Sequence, residues 1–402
     1  MFLSGKKILV GVSGSIAAYK SALLVRLLVK AGAEVQVIMT EAARDFITPL
    51  TLATLSKRPA LSSYVKGEDG TWNNHVELGL WADAMIVAPA TAHTLAKCAN
   101  GLCDDLLSAV YLSARCPVFF APAMDLDMYH HPSTQSNLRR LVTYGNTIIE
   151  AGYGELASGL VGDGRLAEPE AIVAVLEKHF FRREVAVGKR VLITAGPTQE
   201  AIDPVRYISN HSTGKMGYAL AQAFAYAGAQ VTLVSGPTAL PVPDDSIRMI
   251  RVQSAQEMYE AAQEYFGQCD LTILTAAVAD YKPAQAATQK IKKKDDVLTL
   301  DLVKTVDIAA TLGSQKREEQ LLVGFALETD NELANAMDKL QRKNMDYIVL
   351  NSLNDAGAGF AHDTNKITVI DKEERIRHYE LKSKQKAARD IMEIIIDKWS
   401  EA

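Results

Sequence analysis

The chain has 402 residues, 48% of them hydrophobic, and a formal net charge of -5, a length that suits two domains each able to bury its own apolar core. No run approaches the roughly 20 apolar residues of a membrane span, and a mildly acidic chain without a clustered basic face lacks the footprint of a nucleic-acid binder. The four cysteines, Cys98, Cys103, Cys116 and Cys269, have no paired C-x-x-C spacing; this argues against a zinc site or disulfide framework and for buried free thiols.

At the start, Met1-Phe-Leu-Ser-Gly-Lys-Lys-Ile-Leu-Val10 places its lysines inside a strand-like run, unlike a secretory signal, so a cytoplasmic enzyme is expected. That run leads through Gly11-Val-Ser-Gly14 into a helix-like stretch and a second apolar run, Ala31-Gly-Ala-Glu-Val-Gln-Val37, the pattern of a βαβ unit. A helix is predicted from His75 toward Trp81, strands at Ala84-Met-Ile-Val-Ala88 and Pro117-Val-Phe-Phe-Ala121, and a helix from Pro169 to His179. After a short connection, Gly188-Lys-Arg-Val-Leu-Ile-Thr194 echoes the first strand, and Ala227-Gly-Ala-Gln-Val-Thr-Leu233 echoes the second. Further strands are predicted at Leu271–Leu274, Leu322–Phe325 and Tyr347–Leu350. The expected architecture is α/β: two Rossmann-like domains with mainly parallel sheets, residues 1–188 and 189–402. Their ligands belong beyond the carboxyl ends of the strands.

In the first half, Gly11-Val-Ser-Gly-Ser-Ile-Ala-Ala18 sets small residues and hydroxyls between strand and helix, where backbone amides can cradle a phosphate. It is not the dinucleotide G-x-G-x-x-G, and Lys20-Ser21 lacks the preceding glycine of a P-loop, being preceded by Tyr19. Alone, the segment reads equally as a tight turn, and His75 reads as a structural histidine. However, Met39-Thr-Glu-Ala42, Trp72-Asn-Asn-His-Val-Glu77, Ala88-Pro-Ala-Thr-Ala-His-Thr94, Pro122-Ala-Met-Asp-Leu-Asp-Met128 and Gly159-Leu-Val-Gly-Asp-Gly-Arg165 follow one another in an order and spacing that closely resemble the FMN-dependent cysteine decarboxylases. The resemblance implies that Ser13, Gly14, Ser15, Thr40, Ala90, Thr91, Thr94, Ser108 and Met124 hold FMN. It implies that His75 is the base for oxidation of a cysteinyl thiol to a thioaldehyde, which then loses CO2. Met124 and Asp125 would lie in a substrate clamp closed by a flap that carries Ser158 and Arg165.

Two clamp positions depart from that family, which has Asn where this chain has Asp125 and an acid cysteine where it has Ser158. A carboxylate at 125 would repel the substrate's own carboxylate unless protonated, displaced or paired with a cation. A serine hydroxyl is a much weaker acid than a thiol, so Ser158 would have to relay a proton through water.

In the second half, Ala195-Gly-Pro-Thr-Gln-Glu200 and Ser212-Thr-Gly-Lys-Met-Gly217 combine amides, hydroxyls and Lys215 in a manner that suits phosphate. With Ala276-Ala-Val-Ala-Asp280 and Lys290-Ile-Lys-Lys293, they resemble the bacterial phosphopantothenate-cysteine ligases. There, the resemblance implies, the carboxylate of 4'-phosphopantothenate attacks CTP to form an acyl cytidylate that L-cysteine displaces, chiefly by alignment and charge neutralisation. Asn210 would serve the acyl cytidylate, Ala276, Ala277 and Val278 the cytosine, and Asp280 the sugar or base. Lys290 would lie on a flap over the triphosphate, Phe325 at a stacking position, and Lys339 and Lys343 on one helix face. Mg2+ would accompany the phosphates, with its ligands unassigned.

Together the halves resemble the bifunctional ligase and decarboxylase family of bacterial coenzyme A synthesis, which implies a homo-oligomer, a dodecamer. Two alternatives stand beside this: an active ligase whose flavin domain is a catalytically weak scaffold, and a flavin-binding interaction protein. The intact ligase motifs weigh against the second.

Overall fold

A computed structural model describes residues 3–65, 71–292, 298–328, 330–352 and 363–401. The chain forms two compact units, Met1–Phe180 and Phe181–Ala402.

In the first unit the apolar runs become β1 (Lys7–Val12), β2 (Glu34–Met39), β3 (Ala84–Ala90), β4 (Val118–Pro122) and β5 (Thr147–Ile148). They pair in parallel in the order β2-β1-β3-β4-β5. Side chains alternate across the sheet: Ile8, Val10 and Val12 join one apolar cluster, while Leu9 joins the other. Helices Tyr19–Lys30 and Pro169–Phe181 cover the first face, and Ala92–Asn100 and Leu106–Ser113 cover the second. β3 and β4 are buried along their whole length, as strands between two helical layers must be. Beyond the sheet, β6 (Gly152–Glu155) and β7 (Val161–Arg165) form an antiparallel hairpin.

Helix Pro169–Phe181 carries one electrostatic misfit. Burial pushes the Glu177 carboxyl up to about 7 from 4.5, so the folded state holds a proton that the unfolded chain releases. With the folded value raised, stability is full below about 4.5 and declines as pH rises through about 7. Glu177→Gln is therefore expected to stabilise the fold by about 1–2 kcal/mol at slightly alkaline pH, after allowance for solvent screening, and to give no gain near the pH of free carboxyls. Thermal melts of both proteins across that range check it.

The second unit contains β8 (Arg190–Ala195), β9 (Gln199–Ala201), β10 (Tyr207–Ser209), β11 (Gln230–Ser235), β12 (Arg248–Arg251), β13 (Leu271–Leu274), β14 (Tyr281–Pro283), β15 (Leu302–Lys304), β16 (Leu321–Glu328), β17 (Tyr347–Ser352), β18 (Thr364–Asn365), β19 (Ile367–Asp371), β20 (Ile376–His378) and β21 (Lys382–Ser383). The main sheet runs β12-β11-β8-β13-β16-β17-β19-β20. Its first six strands are parallel, and β19 and β20 add antiparallel. Along the chain those six parallel strands have the 3-2-1-4-5-6 order of a dinucleotide-type sheet, whereas the first unit has the flavodoxin-like 2-1-3-4-5 order.

The expected strands at 84–88, 271–274, 322–325 and 347–350 lie within observed strands, and the one expected at 117–121 is shifted by one residue to 118–122. The antiparallel extension and the terminal helix Lys384–Glu401 are additional. That helix buries Ala387, Ile391 and Ile395, and its Trp399 meets Phe224 edge-on at 6.1 Å. Among the described residues, no helix is long and apolar enough to cross a membrane.

Candidate active sites

In an open α/β sheet the ligand crevice opens where strand order reverses, and in the 2-1-3-4-5 order this lies between β1 and β3. The structure places the predicted hydroxyls at that point. Ser13 Oγ donates to Pro89 O at 2.7 Å and accepts from Thr91 N at 3.0 Å, joining the two strand ends. Thr91 in turn caps helix Ala92–Asn100 through Thr94 N, and Ser15 caps the short turn Ile16–Ala18 through Ala17 N. Thr40, at the end of β2, has a buried Oγ1 with no protein partner. Gly14 passes so close to Ala42 that a Cβ would lie 2.7 Å from its Cβ.

An orphaned hydroxyl, a crevice of small residues and capped helix starts fit a flavin mononucleotide. Ala90 is buried at the end of β3. Ser108 is also buried, but its hydroxyl forms the capping box of helix Leu106–Ser113 with Asp105.

His75 opens helix His75–Trp81, which Asn74 caps. Its ring meets Trp72 at 5.7 Å and Tyr64 at 6.2 Å, and its buried Nδ1 has no protein partner.

The clamp residues converge on a cavity of about 530 Å³, whose lining includes Ser15, Lys20, Met124, Asp125, Ser158 and Arg165. His75 is not among its lining residues. Asp125 Oδ1 accepts from Leu126 N at 2.7 Å and caps helix Leu126–His130. An acidic side chain is favoured at a helix start, so this carboxylate has a local reason to be tolerated where the resembled family has Asn. Ser158 is exposed on the turn joining β6 to β7. Met124 N donates to Gly164 O at 2.9 Å and so ties the clamp to that hairpin.

In the second unit the reversal lies between β8 and β13. Ala277 N donates to Gly196 O at 2.9 Å, and Ala279 N donates to Thr198 Oγ1 at 3.0 Å. The segment 276–280 is thereby laid across the strand ends. Cavities of about 350 and 500 Å³ open on it, both lined by Ala276, Val278, Asp280, Phe325 and Lys339. Lys343 lines the first, and Ala277 and Asn210 line the second; Asn210 Nδ2 donates to Val278 O at 2.8 Å. The cytosine, stacking and lysine positions are thus brought together.

Lys290 lines neither cavity. It is exposed on the arm between β14 and β15, beside Ile291. Ile291 N donates to Asp203 Oδ2 at 3.1 Å, and Ile291 O accepts from Arg206 Nη2 at 2.7 Å. The bond with Arg206 holds the Asp203 carboxyl well below the usual range. Lys293 lies outside the described residues.

Residues 2–181 match the flavoprotein family model, and residues 186–398 match the C-terminal domain model of the DNA/pantothenate metabolism flavoproteins. The coenzyme A biosynthesis bifunctional protein CoaBC of Bacillus subtilis (strain 168) is 46% identical over 395 residues, covering 98% of this chain and 97% of its own. That of Haemophilus influenzae (strain ATCC 51907 / DSM 11121 / KW20 / Rd) is 45% identical over 401 residues, covering all of both chains. The chain belongs to the CoaBC family. A cysteine/cysteine sulfinic acid decarboxylase of an unknown prokaryotic organism is 56% identical over 354 residues, covering 87% of this chain and 99% of its own. The family resemblance read from the motifs is therefore the relationship found across the whole length.

Sequence reading alone passed over several members of these sites. Lys20 is buried in the clamp cavity. Asn365 and Lys384, both buried, line the larger ligase cavity, where burial draws the Lys384 ammonium below its ordinary value. Asp203 organises the arm that carries Lys290. All four depend on contacts between distant segments, which no local pattern announces. The four cysteines are free, but only Cys98 and Cys269 are buried as expected, Cys116 being half-buried and Cys103 exposed; burial pushes Cys98 up to about 12 and Cys269 up to about 11, so neither is a ready thiolate. Among the described residues, no group of three His, Cys, Asp or Glu side chains is placed to hold a metal ion.

Proposed function

We propose that the protein ligates L-cysteine to 4'-phosphopantothenate with CTP and decarboxylates the product to 4'-phosphopantetheine with FMN. One observation carries this reading: each sheet has its own motif set at its own reversal point, hydroxyls at β1/β3 and the Ala276–Asp280 segment at β8/β13.

In the first unit, Ser13, Gly14, Ser15, Thr40, Ala90, Thr91 and Thr94 would hold FMN at the β1/β3 reversal point. Bound there, FMN would supply reversible two-electron chemistry at the thiol. His75, whose Nδ1 is free of protein partners, would accept the thiol proton from a substrate held by another copy in the homo-oligomer, since it does not line the clamp cavity of its own chain. Met124 and the hairpin shield the substrate, and Ser158 passes a proton through water.

In the second unit, Asn210 orients the acyl group, Phe325 stacks on the nucleotide, and Lys290, Lys339 and Lys343 neutralise phosphate charge. Mg2+ accompanies the phosphates. The protein acts in the cytoplasm as a homo-oligomer, the dodecamer of the family it resembles.

The test is direct. Acid-released cofactor is expected to be FMN, and replacing CTP by ATP is expected to lower ligation sharply. Release of FAD alone, or equal rates with both nucleotides, would contradict the reading.

A second reading is favoured by one observation. The clamp cavity is lined by both signs of charge, Asp125 and Glu155 with Lys20 and Arg165, which suits a zwitterion, and the 56% identical relative is named for cysteine and cysteine sulfinic acid. On this reading the first unit also decarboxylates free cysteine; CO2 release from cysteine without CTP distinguishes it.

A further inference from the structure

We propose that Lys20 is the residue of the clamp cavity that receives the substrate's carboxylate, supplying the positive charge that offsets Asp125. This rests on the decarboxylase reading above.

Lys20 is an unusual residue for its place. It sits in the first turn of helix Tyr19–Lys30, where the helix dipole disfavours a cation, and its side chain is only 9% exposed. A buried ammonium is costly unless its donors are engaged. An ammonium has three donors. One goes to Glu168 Oε1 at 2.8 Å and another to Leu166 O at 3.3 Å, which leaves one for a ligand in the cavity that Lys20 lines.

The charges around it show how a ligand would be accommodated. Asp125 and Glu155 line the same cavity as Lys20 and Arg165, so an incoming carboxylate meets two negative groups. A cavity of about 530 Å³ is on the order of 10 Å across, within about one Debye length at 0.1 M salt, so each of these charges is felt by the ligand. Glu168 pairs with Lys20 and lies 3.5 Å from Arg165, yet its side chain is 57% exposed. It can turn to water when a carboxylate takes its place, freeing both cations. Arg165 is 46% exposed and more strongly screened, so the buried Lys20 supplies the larger attraction.

The decisive comparison uses two ligands that differ only in the carboxylate: 4'-phosphopantothenoylcysteine and 4'-phosphopantetheine. With the full-length flavin-loaded protein, apparent affinity for the first is read from the concentration dependence of flavin bleaching in a single turnover. Affinity for the second is read from the flavin absorbance shift on titration. Lys20→Met is expected to weaken the first by about 10- to 100-fold, the scale of a hydrogen bond to a charged group, and to leave the second within about twofold at unchanged FMN content. Lys20→Arg should recover much of the loss. Glu168→Gln should tighten the first ligand, because the competing carboxylate is gone.

Equal weakening of both ligands by Lys20→Met would overturn the proposal, since a residue that merely tethers residues 165–168 or reads the phosphate affects both alike. Unchanged affinity for the first would also overturn it. Absence of bleaching in the wild type would instead remove the decarboxylase reading, and this proposal with it.

Discussion

Gly164→Ala is expected to abolish decarboxylation while leaving cysteine ligation intact. Gly164 lies in β7 with φ at +128°, a conformation that L side chains rarely adopt, and an added Cβ would lie 2.3 Å from Met124 O. Backbone stands on both sides of that clash, so neither partner yields by turning a side chain. The hairpin and the clamp must separate, breaking the bond from Met124 N to Gly164 O that registers them. Misplacement by about 1 Å of groups that orient a reacting substrate costs on the order of 100-fold in rate, and the shift needed here is of that size. Because the clash falls on Met124 and Asp125 and not on the Ser13, Thr91 and Thr94 hydroxyl network, flavin content should persist. CO2 release and pyrophosphate release, measured on one preparation, separate the two activities. Normal CO2 release by the variant would show that the Pro122–Met128 segment is not the clamp.

The second large effect is expected at Asp203, which touches no nucleotide position. Its carboxylate accepts from Val205 N, Arg206 N and Ile291 N and pairs with Arg206. In Asp203→Ala those donors lose their common acceptor inside a site where the aspartate side chain is fully buried, and the arm bearing Lys290 is released. Ligation should then fall nearly as far as in Lys290→Gln, on the order of 100- to 1000-fold, the loss that follows removal of one charge-stabilising group. Since pairing depresses the Asp203 carboxyl, its contribution is present across the neutral range and is lost only as pH falls through the depressed value. Flavin absorbance serves as the internal control. Near-normal ligation by Lys290→Gln would return the lysine run to a solvated surface, and near-normal ligation by Asp203→Ala would detach the arm from catalysis.

Much of the architecture was legible because long apolar runs leave few options. β3 is buried at all seven positions, and such an unbroken apolar run reads as an inner parallel strand. The motif residues were legible because they sit in the loops directly after those strands, so the order of strands in the chain nearly places them. β19 and β20 were hidden by the charged segment Asp371-Lys-Glu-Glu-Arg375, which reads as a solvated face. In the fold it is a tight turn: Asp371 accepts from Glu373 N and Arg375 N, and Glu374 adopts a positive φ of 62°. Lys20 was hidden for a different reason, because its partner Glu168 is 148 residues away. Tyr19 before Lys20-Ser21 excludes a P-loop, and no local pattern directs the lysine toward residues 166–168.

The departures at Asp125 and Ser158 gain a physical context from these contacts. Asp125 is a helix cap in a cavity that also contains cations, and Ser158 stands on an exposed turn open to water. Neither placement requires the first unit to be silent. The most direct measurement is a single reaction of the full chain with 4'-phosphopantothenate, L-cysteine, CTP and Mg2+, with CO2 and product mass followed together. The account predicts CO2 and 4'-phosphopantetheine in equal amounts; accumulation of 4'-phosphopantothenoylcysteine without CO2 would contradict it and leave the first unit as a flavin-binding scaffold.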